Sequence, residues 1–174
     1  MSTFTLTWLD ATTVTAALPQ LEAVLCDAVE SGASIGFMLP LDRGEIADYW
    51  AGIAQAVRLE KKYLLVAVNA QGQMVGTAQL EPAGKSNGRH RAEVQKVIVL
   101  AACRQQGIGK LLMQEVDRFA ASIGRTLLLL DTRANDSGEK LYASVGWTKF
   151  GAVPRYAYSP DGSMEGTTFW YKTL

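Results

Sequence analysis

Histidine and cysteine are scarce in this chain, which has one His and only Cys26 and Cys103 among its 174 residues. Two cysteines are too few for a disulfide framework, and they lack metal-site spacing. The opening MSTFTLTWLD has neither the basic start nor the apolar stretch of a secretory signal. No apolar run approaches the ~18 residues of a membrane span. We therefore expect a cytoplasmic protein with reduced thiols, no metal and no membrane partner.

Positive charge is absent from the first 42 residues, which contain no Lys or Arg. The same segment contains Asp10, Glu22, Asp27, Glu30 and Asp42, so all 17 basic residues lie later in the chain. The net charge is zero, which argues against nucleic acid as the main partner. An anionic ligand is expected on the later part of the chain.

The apolar pattern predicts one mixed α/β domain over residues 1–174. Helical stripes run from Leu18 to Val29, from 46 to 57 and from 108 to 123, and a short helix is predicted from Asp136 to 146. Asp42 followed by Glu45 resembles a capping box at the start of the second of these helices. Strands are predicted at 3–9, 63–68, 74–80, 92–100 and 126–132, with two C-terminal strands around the turn SPDG. We expect the strands at 92–100 and 126–132 to be parallel, and the run 126–132 to be buried on both faces.

The stretch RQQGIG, residues 104–109, resembles a phosphate-binding turn between a strand and a helix. A P-loop would need Gly in place of Arg104 and Ser or Thr in place of Leu111, so two of its defining positions do not match. A dinucleotide fingerprint would need a third Gly at Leu112, although Asp131 lies near the distance of a ribose-binding acid. A plain glycine turn without a ligand is the structural alternative.

A third phosphate loop fits the stretch better. Residues 104–109 match the R/Q-x-x-G-x-G/A pattern of the GNAT acetyltransferases, and the order of elements is similar over nearly the whole chain. The resemblance implies a splayed mixed sheet of about seven strands with about four helices, and acetyl-CoA as co-substrate. The cofactor residues that it implies are Val97, Ile98, Val99, Arg104, Gln105, Gln106, Gly107, Ile108, Gly109, Lys110 and Asn135. For Asn135, an N-terminal helix cap is an equally good account.

Several segments resemble one branch of that family, the tabtoxin-resistance type. They are GASIGF, NGRHRAEVQK with Val97 to Leu100 after it, LDT at 130–132 and the closing PDG…YKTL. Ala101, Cys103 and Gln105 depart from residues that are common in the wider family. These departures leave the main-chain amides of the phosphate loop in place.

Three side chains are candidates for acetyl transfer to an amine. The resemblance implies that carboxylates at Glu93 and Asp131 prepare the acceptor amine and that Tyr142 protonates the CoA sulfur. By alternation, Glu93 shares a face with Gln95, Val97 and Val99. The structural alternatives are that Glu93 pairs with Arg89 or Arg91, that Asp131 caps a loop, and that Tyr142 belongs to the core.

Other polar residues give weaker signals. His90 lies in a polar loop. Three roles are open for it: a general base, a contact for the acceptor, or a solvated side chain. Nothing in the sequence places it near Cys103. Three basic residues lie in or beside the same loop, namely Lys85, Arg89 and Arg91. They either form a solvated rim or attract an anionic acceptor. The sequence thus predicts a cytosolic N-acetyltransferase for a small amine such as an amino-acid-like toxin, a monomer or a homodimer. The alternatives are acetylation of proteins or peptides, and a non-catalytic CoA sensor.

Overall fold

The computed structural model describes residues 4–174, which form seven strands and four α-helices. The strands are β1 (Thr5–Leu9), β2 (Tyr63–Val68), β3 (Met74–Pro82), β4 (Arg91–Val99), β5 (Leu127–Arg133), β6 (Thr148–Tyr158) and β7 (Met164–Thr173). The helices are α1 (Val14–Glu30), α2 (Arg43–Arg58), α3 (Ile108–Ser122) and α4 (Ser137–Ser144). This mixed α/β architecture confirms the predicted fold class. Residue 3, the first of the predicted strand 3–9, lies outside the described residues.

Local signals in the sequence account for several element boundaries. The Asp42 carboxylate accepts hydrogen bonds from the N–H groups of Gly44 and Glu45, which caps α2 as predicted. Asp136 caps α4 by accepting from the N–H of Ser137. Helix α3 ends just before Gly124, whose φ of 74° is accessible to glycine at little cost.

The strands form a single sheet in the order β1-β2-β3-β4-β5-β7-β6. Among the strands of residues 4–174, only β4 and β5 pair in parallel, as predicted for strands joined by a helix. Their pairing stops at Glu93 and Leu129, although β4 continues to Val99 and β5 to Arg133. The two strands therefore separate toward their carboxyl ends, which is the splay that the family resemblance implied.

Each face of the sheet carries its own hydrophobic core. Helices α1 and α2 pack on one face, and the larger apolar side chains there include Leu21, Trp50 and Ile98. Helices α3 and α4 pack on the other face around Leu112, Leu128 and Tyr142. Within residues 4–174, no helix combines the length and the hydropathy needed to cross a bilayer.

The prediction that β5 is buried on both faces is wrong. Leu128 and Leu130 are buried on the α3 side, whereas Leu127 and Leu129 are only partly buried and Asp131 is exposed. The reason is the splay, because α1 and α2 cover the β2–β4 part of the other face and leave β5 lining an open cleft. An unbroken apolar run does not reveal that one face lacks a covering helix.

A β-bulge overturns the predicted alternation along β4. Thr77 and Gln79 of β3 pair with Ile98 and Gln95, so Lys96 and Val97 together oppose a single residue of β3. Such an insertion reverses which side chains point to each face. Val97 and Val99 consequently pack with the α3 core, and Ile98 joins the α1–α2 core on the face of Glu93 and Gln95.

Candidate active site

The loop from Gln105 to the first turn of α3 exposes a series of main-chain donors. The N–H groups of Gln105 to Lys110 donate to no acceptor among residues 4–174, and the first helical bond of α3 runs from Leu111 to the carbonyl of Gly107. The first turn of α3 contains no acidic residue. Free amides and the positive end of a helix dipole favour an anion such as a phosphate.

Gly107 and Gly109 serve different purposes in this loop. Gly107 has a φ of 83° and caps α3, and a Cβ placed there would meet no heavy atom within 4 Å. The space in front of it is therefore open to a ligand. A Cβ on Gly109 would come within 3.1 Å of Leu141 Cδ2, so this glycine lets α4 approach the start of α3.

The side chain of Arg104 is occupied within the protein. Its Nε donates to the carbonyl of Val99 at 3.2 Å, and its Nη2 donates to Ser31 Oγ at 2.6 Å. Asp27 of α1 adds a second tie by accepting from the N–H of Ala101 at 2.7 Å. The bonds to Ser31 and Asp27 attach the segment 101–104, which leads into the glycine loop, to the end of α1. Arg104 thus has an evident structural role beside its predicted role in cofactor binding.

The other predicted cofactor positions line the same end of the sheet. Val97, Ile98 and Val99 lie on the part of β4 that β5 no longer pairs with. The Ile98 and Ile108 side chains are buried in the two cores, so only their main-chain groups are available to a ligand. The side chains of Gln105, Gln106 and Lys110 are exposed.

Asn135 lies in the turn between β5 and α4. It is exposed and has a φ of 62°, a left-handed conformation that Asn tolerates better than most residues. The alternative in which it caps α4 is wrong, because the cap is Asp136. Its side chain therefore remains available at the carboxyl edge of β5.

Glu93 and Asp131 lie on one face of the sheet beside the splay. Glu93 pairs with Leu129, and residues paired in a parallel ladder share a face, as do Leu129 and Asp131 two positions apart. Desolvation in the cleft raises the pKa of Asp131, and the nearby charge of Glu93 raises it further, whereas Lys96 opposes the shift. Like charges held close together make one carboxylate a better proton acceptor.

The structural alternatives for the two carboxylates are not observed. Within the described chain, no Lys or Arg nitrogen lies within 4.0 Å of Glu93, whose Oε1 accepts from Gln95 Nε2 at 3.0 Å. The Asp131 side chain caps no loop in that part of the chain either. The two carboxylates are therefore free to act on a ligand in the cleft.

Tyr142 is buried between two tryptophans but leaves its hydroxyl without a protein partner. The ring centroids of Trp147 and Trp170 lie 6.2 and 6.3 Å away, and only 7% of the residue is exposed. No side chain or carbonyl of residues 4–174 accepts a hydrogen bond from Oη. Burial raises the pKa of Tyr142, and the charges of Asp131 and Asp136 raise it further, which keeps the phenol protonated.

A cavity of about 290 Å³ adjoins the cleft between the segment after α1 and the β6–β7 turn. Arg133 is the basic residue of its lining, and this cation already has partners within the protein. It donates to the carbonyl of Gly32 at 2.9 Å and to Ser159 Oγ at 3.2 Å, and it pairs with Asp136 at 2.9 Å. The charge of Arg133 is therefore compensated, whereas the acidic residues of the lining, Glu30, Asp161 and Glu165, form no ion pair within residues 4–174.

Residues 60–149, just over half of the chain, match the acetyltransferase (GNAT) domain family. The chain belongs to the GNAT acetyltransferase family.

Solved GNAT structures resemble the whole chain. A ribosomal-protein-alanine N-acetyltransferase from Brucella melitensis is 25% identical with a TM-score of 0.78, over 98% of this chain and 99% of that one. A phosphinothricin acetyltransferase from Sinorhizobium meliloti, solved with acetyl-CoA, is 21% identical with a TM-score of 0.80, over 99% and 89%. A GCN5-related N-acetyltransferase from Kribbella flavida is 22% identical with a TM-score of 0.75, over 98% of each chain.

Membership of the GNAT family confirms the predicted class of enzyme, an acetyl-CoA-dependent N-acetyltransferase, and acetyl-CoA as its co-substrate. The named neighbours include enzymes for different acceptors, so they support the family rather than one branch of it. The P-loop and dinucleotide alternatives for RQQGIG are thereby excluded.

Two other candidates from the sequence lie outside the GNAT site. His90 is exposed at the amino-terminal end of β4, where its carbonyl accepts from the N–H groups of Thr126 and Leu127. Cys103 is partly buried against the α3 core. Residues 4–174 contain no group of three or more potential metal ligands.

Sequence reasoning missed a polar network on the α2 side of the cleft. Lys62 Nζ donates to Gln95 Oε1 at 2.7 Å and pairs with Glu81 at 2.8 Å, and Gln79 Nε2 donates to Tyr49 Oη at 2.9 Å. Lys96 lies beside this network. The available signal was a lysine at the centre of the apolar strand VQKVIVL.

Proposed function

We propose that this GNAT enzyme uses its single domain, residues 1–174, to acetylate the amine of a small molecule. The observation that carries the proposal is the placement of Glu93 and Asp131 on one face beside the open splay of β4 and β5. Acetyl-CoA supplies the acetyl group when bound. The amides from Gln105 to Lys110 hold its pyrophosphate, and the unpaired edge of β4 at Val97 to Val99 holds its pantetheine arm.

Asp131 accepts the proton of the substrate amine, and desolvation together with the charge of Glu93 keeps the pKa of Asp131 raised. An ammonium group has no lone pair for attack, so a nearby base with a raised pKa increases the share of reactive amine. A main-chain N–H of β4 near the splay donates to the acetyl oxygen, where negative charge develops. In this arrangement the chain itself forms no covalent bond to the acetyl group.

Tyr142 donates a proton to the departing sulfur. Its hydroxyl lacks a protein acceptor, and its raised pKa keeps the phenol protonated at neutral pH, so the proton is present when the thiolate departs. Tyr142 lies in α4 and packs in the core on the α3 face, whereas Asp131 lies on the other face of the sheet, so the proton donor and the base approach the splay from opposite faces. Asn135, in the turn between them, is suited to hydrogen-bond the pantetheine arm.

Amino-acid-like toxins are the acceptors that fit the sequence best. The segments GASIGF, AEVQK and LDT resemble the tabtoxin-resistance branch, for which tabtoxinine-β-lactam is the expected substrate. A neighbour of the same fold is named for phosphinothricin, another small amino-acid-like compound. A cytoplasmic location and a monomeric or homodimeric state are part of the proposal.

Acetylation of protein N-termini is the second candidate. One observation favours it, namely the 25% identity to a ribosomal-protein-alanine N-acetyltransferase over nearly the whole of both chains. An extended peptide would need room beside the segment 31–37, where Gly36 lies against Lys96.

A thiol-release assay separates these functions. Acetyl-CoA is mixed with the enzyme and a panel of free amino acids, simple amines and short peptides with alanine or serine N-termini. Release of CoA with the small amines alone supports the proposal, and release with the peptides alone supports the second candidate. Tight binding of acetyl-CoA without release for any acceptor would contradict both and favour a CoA sensor.

A further inference from the structure

Lys96 occupies an unusual position in the acceptor cleft. It lies at the β-bulge of β4 with a φ of 49°, a conformation that few non-glycine residues adopt. Bulges re-aim side chains at functional sites. Here the bulge directs Lys96 to the α1–α2 face of the sheet, the face that carries Glu93 and Asp131.

The ammonium of Lys96 is held between an aromatic ring and a glycine. Its Nζ lies 5.7 Å from the ring centroid of Tyr49, within the range of a cation–π contact. On the other side, a Cβ on Gly36 would come within 3.8 Å of Nζ. Phe37 supports the Tyr49 ring edge-on at 5.3 Å. Lys96 is thus confined at the inner wall of the cleft.

No acidic side chain of residues 4–174 pairs with Lys96. Its neighbours in the cleft are compensated, Lys62 by Glu81 and Arg133 by Asp136. Burial lowers the pKa of Lys96 and the charge of Lys62 lowers it further, while Asp131 opposes them from beyond ion-pair distance. A half-buried cation without an acceptor is costly, and such exceptions concentrate at binding sites.

The Lys96 ammonium therefore requires an anionic partner from a ligand, in the part of the cleft where the acceptor binds. The phosphate amides lie beyond the end of β4 at Gln105 to Lys110, whereas Lys96 lies between Glu93 and the strand edge that receives the acetyl group. An anionic acceptor would be repelled by Glu93 and Asp131 unless a cation compensated them. Lys96 and Asp131 lie on the same face of the sheet, close enough for their charges to interact, so an acceptor whose amine lies near Asp131 would extend its anionic group toward Lys96.

We infer that Lys96 binds a carboxylate of the acceptor, so that the enzyme selects amines that also carry a carboxylate. This inference rests on the proposed function, because it concerns the acceptor of that same reaction. It assigns a specificity-determining role to Lys96 and a supporting role to Tyr49, which holds the ammonium in place. Amino acids satisfy this requirement, whereas simple amines and amino-acid amides do not.

The test compares amino acids with their amides, which present an amine beside a neutral group. Turnover of each pair is measured by CoA release for the wild type, Lys96→Met and Lys96→Arg, with Lys61→Met as a control at an exposed lysine. We expect Lys96→Met to lower the acid-to-amide ratio of kcat/KM by roughly 10- to 100-fold, the range of a lost charged hydrogen bond. Lys96→Arg should retain part of the ratio, and Lys61→Met all of it.

An unchanged ratio in Lys96→Met would overturn the inference, and so would an equal loss for acids and amides. Calorimetry of the same acids and amides against the CoA-bound enzyme gives a second readout that does not need turnover. If the wild type releases no CoA with any amine, the proposed function fails. The carboxylate subsite then stands only if the acids bind the wild type at least tenfold more tightly than Lys96→Met, and it falls if they do not.

Discussion

The carboxylates of Glu93 and Asp131 lie on one face of the sheet where β4 and β5 separate, close enough for the charge of Glu93 to raise the pKa of Asp131. Glu93→Gln removes that charge and should lower the pKa of Asp131. The acid limb of the kcat/KM profile should then move to lower pH, while turnover near neutral pH falls and recovers in part at higher pH.

Two controls make this outcome specific. Glu60→Gln makes the same change of charge at an exposed residue away from the cleft and should leave the profile in place. A ¹³C NMR titration of the Asp131 carboxyl reports its pKa directly. An unaltered titration in Glu93→Gln would show that the two groups are not coupled, whatever the kinetics.

Asp131→Asn should raise the stability of the folded protein and lower its catalytic activity. A raised pKa means that the ionised carboxylate is less favourable in the folded chain than in the unfolded one. Its destabilising effect is absent below the unfolded pKa of about 4, grows as the pH rises, and is complete above the raised folded pKa. The variant should therefore melt at a higher temperature than the wild type at pH 7 but at the same temperature at pH 3. A lower melting temperature at pH 7 would mean that Asp131 is a structural partner of Lys96.

Tyr142→Phe should lower kcat by roughly 10- to 100-fold, the low end for a general acid, because a thiolate is already a fair leaving group. The affinity for acetyl-CoA should change little. Because the hydroxyl has no protein acceptor, its removal should also leave the melting temperature almost unchanged. A silent kcat would assign Tyr142 to the core alone and leave water to protonate the sulfur.

Gly107→Asp and Gly107→Asn form a matched pair at the phosphate loop. Asp and Asn adopt a left-handed backbone more readily than most residues, so the strain at the φ of 83° should be similar in both variants, and neither meets an atom within 4 Å of its Cβ. Asp alone places a negative charge at the amides that we assign to the pyrophosphate. Calorimetry should show acetyl-CoA binding at least about tenfold weaker for Asp than for Asn, with the difference shrinking as salt rises. Equal affinities would contradict a phosphate at this loop. Gly109 is unsuitable for this test because Leu141 crowds it.

The sequence predicted those parts of the structure that depend on neighbouring residues. The cap at Asp42, the strand at 63–68 and the glycine loop follow from patterns a few residues long. The bulge at Lys96 was not predicted, because alternation in VQKVIVL gives no sign that two residues oppose one on β3. The open face of β5 was missed for a related reason, since it depends on how far α1 and α2 extend over the sheet.

Side-chain partners distant in the chain were equally unpredictable. Arg104 bonds Ser31, which lies 73 positions earlier, and no local pattern relates them. The same limit applies to Lys96 and Tyr49, whose contact depends on α2 packing over β4. The candidate carboxylates Glu93 and Asp131, by contrast, lie on neighbouring strands whose parallel pairing a connecting helix predicts.

Arg104 is predicted to bind the cofactor, but its side chain bonds to Val99 and Ser31 within the protein. Variants of Arg104 and Ser31 can separate these two roles. If its side chain mainly fastens the loop to α1, Arg104→Met and Ser31→Ala should each cost less than about 1 kcal/mol of stability, the range for an exposed hydrogen bond. Together they should cost less than the sum, because they remove the same bond. Acetyl-CoA affinity should fall only a few-fold in either variant, since the main-chain amides remain. Denaturant melts and calorimetry measure both quantities. A large loss of affinity in Arg104→Met, with unchanged stability and a silent Ser31→Ala, would instead show that Arg104 leaves Ser31 and binds the phosphate directly.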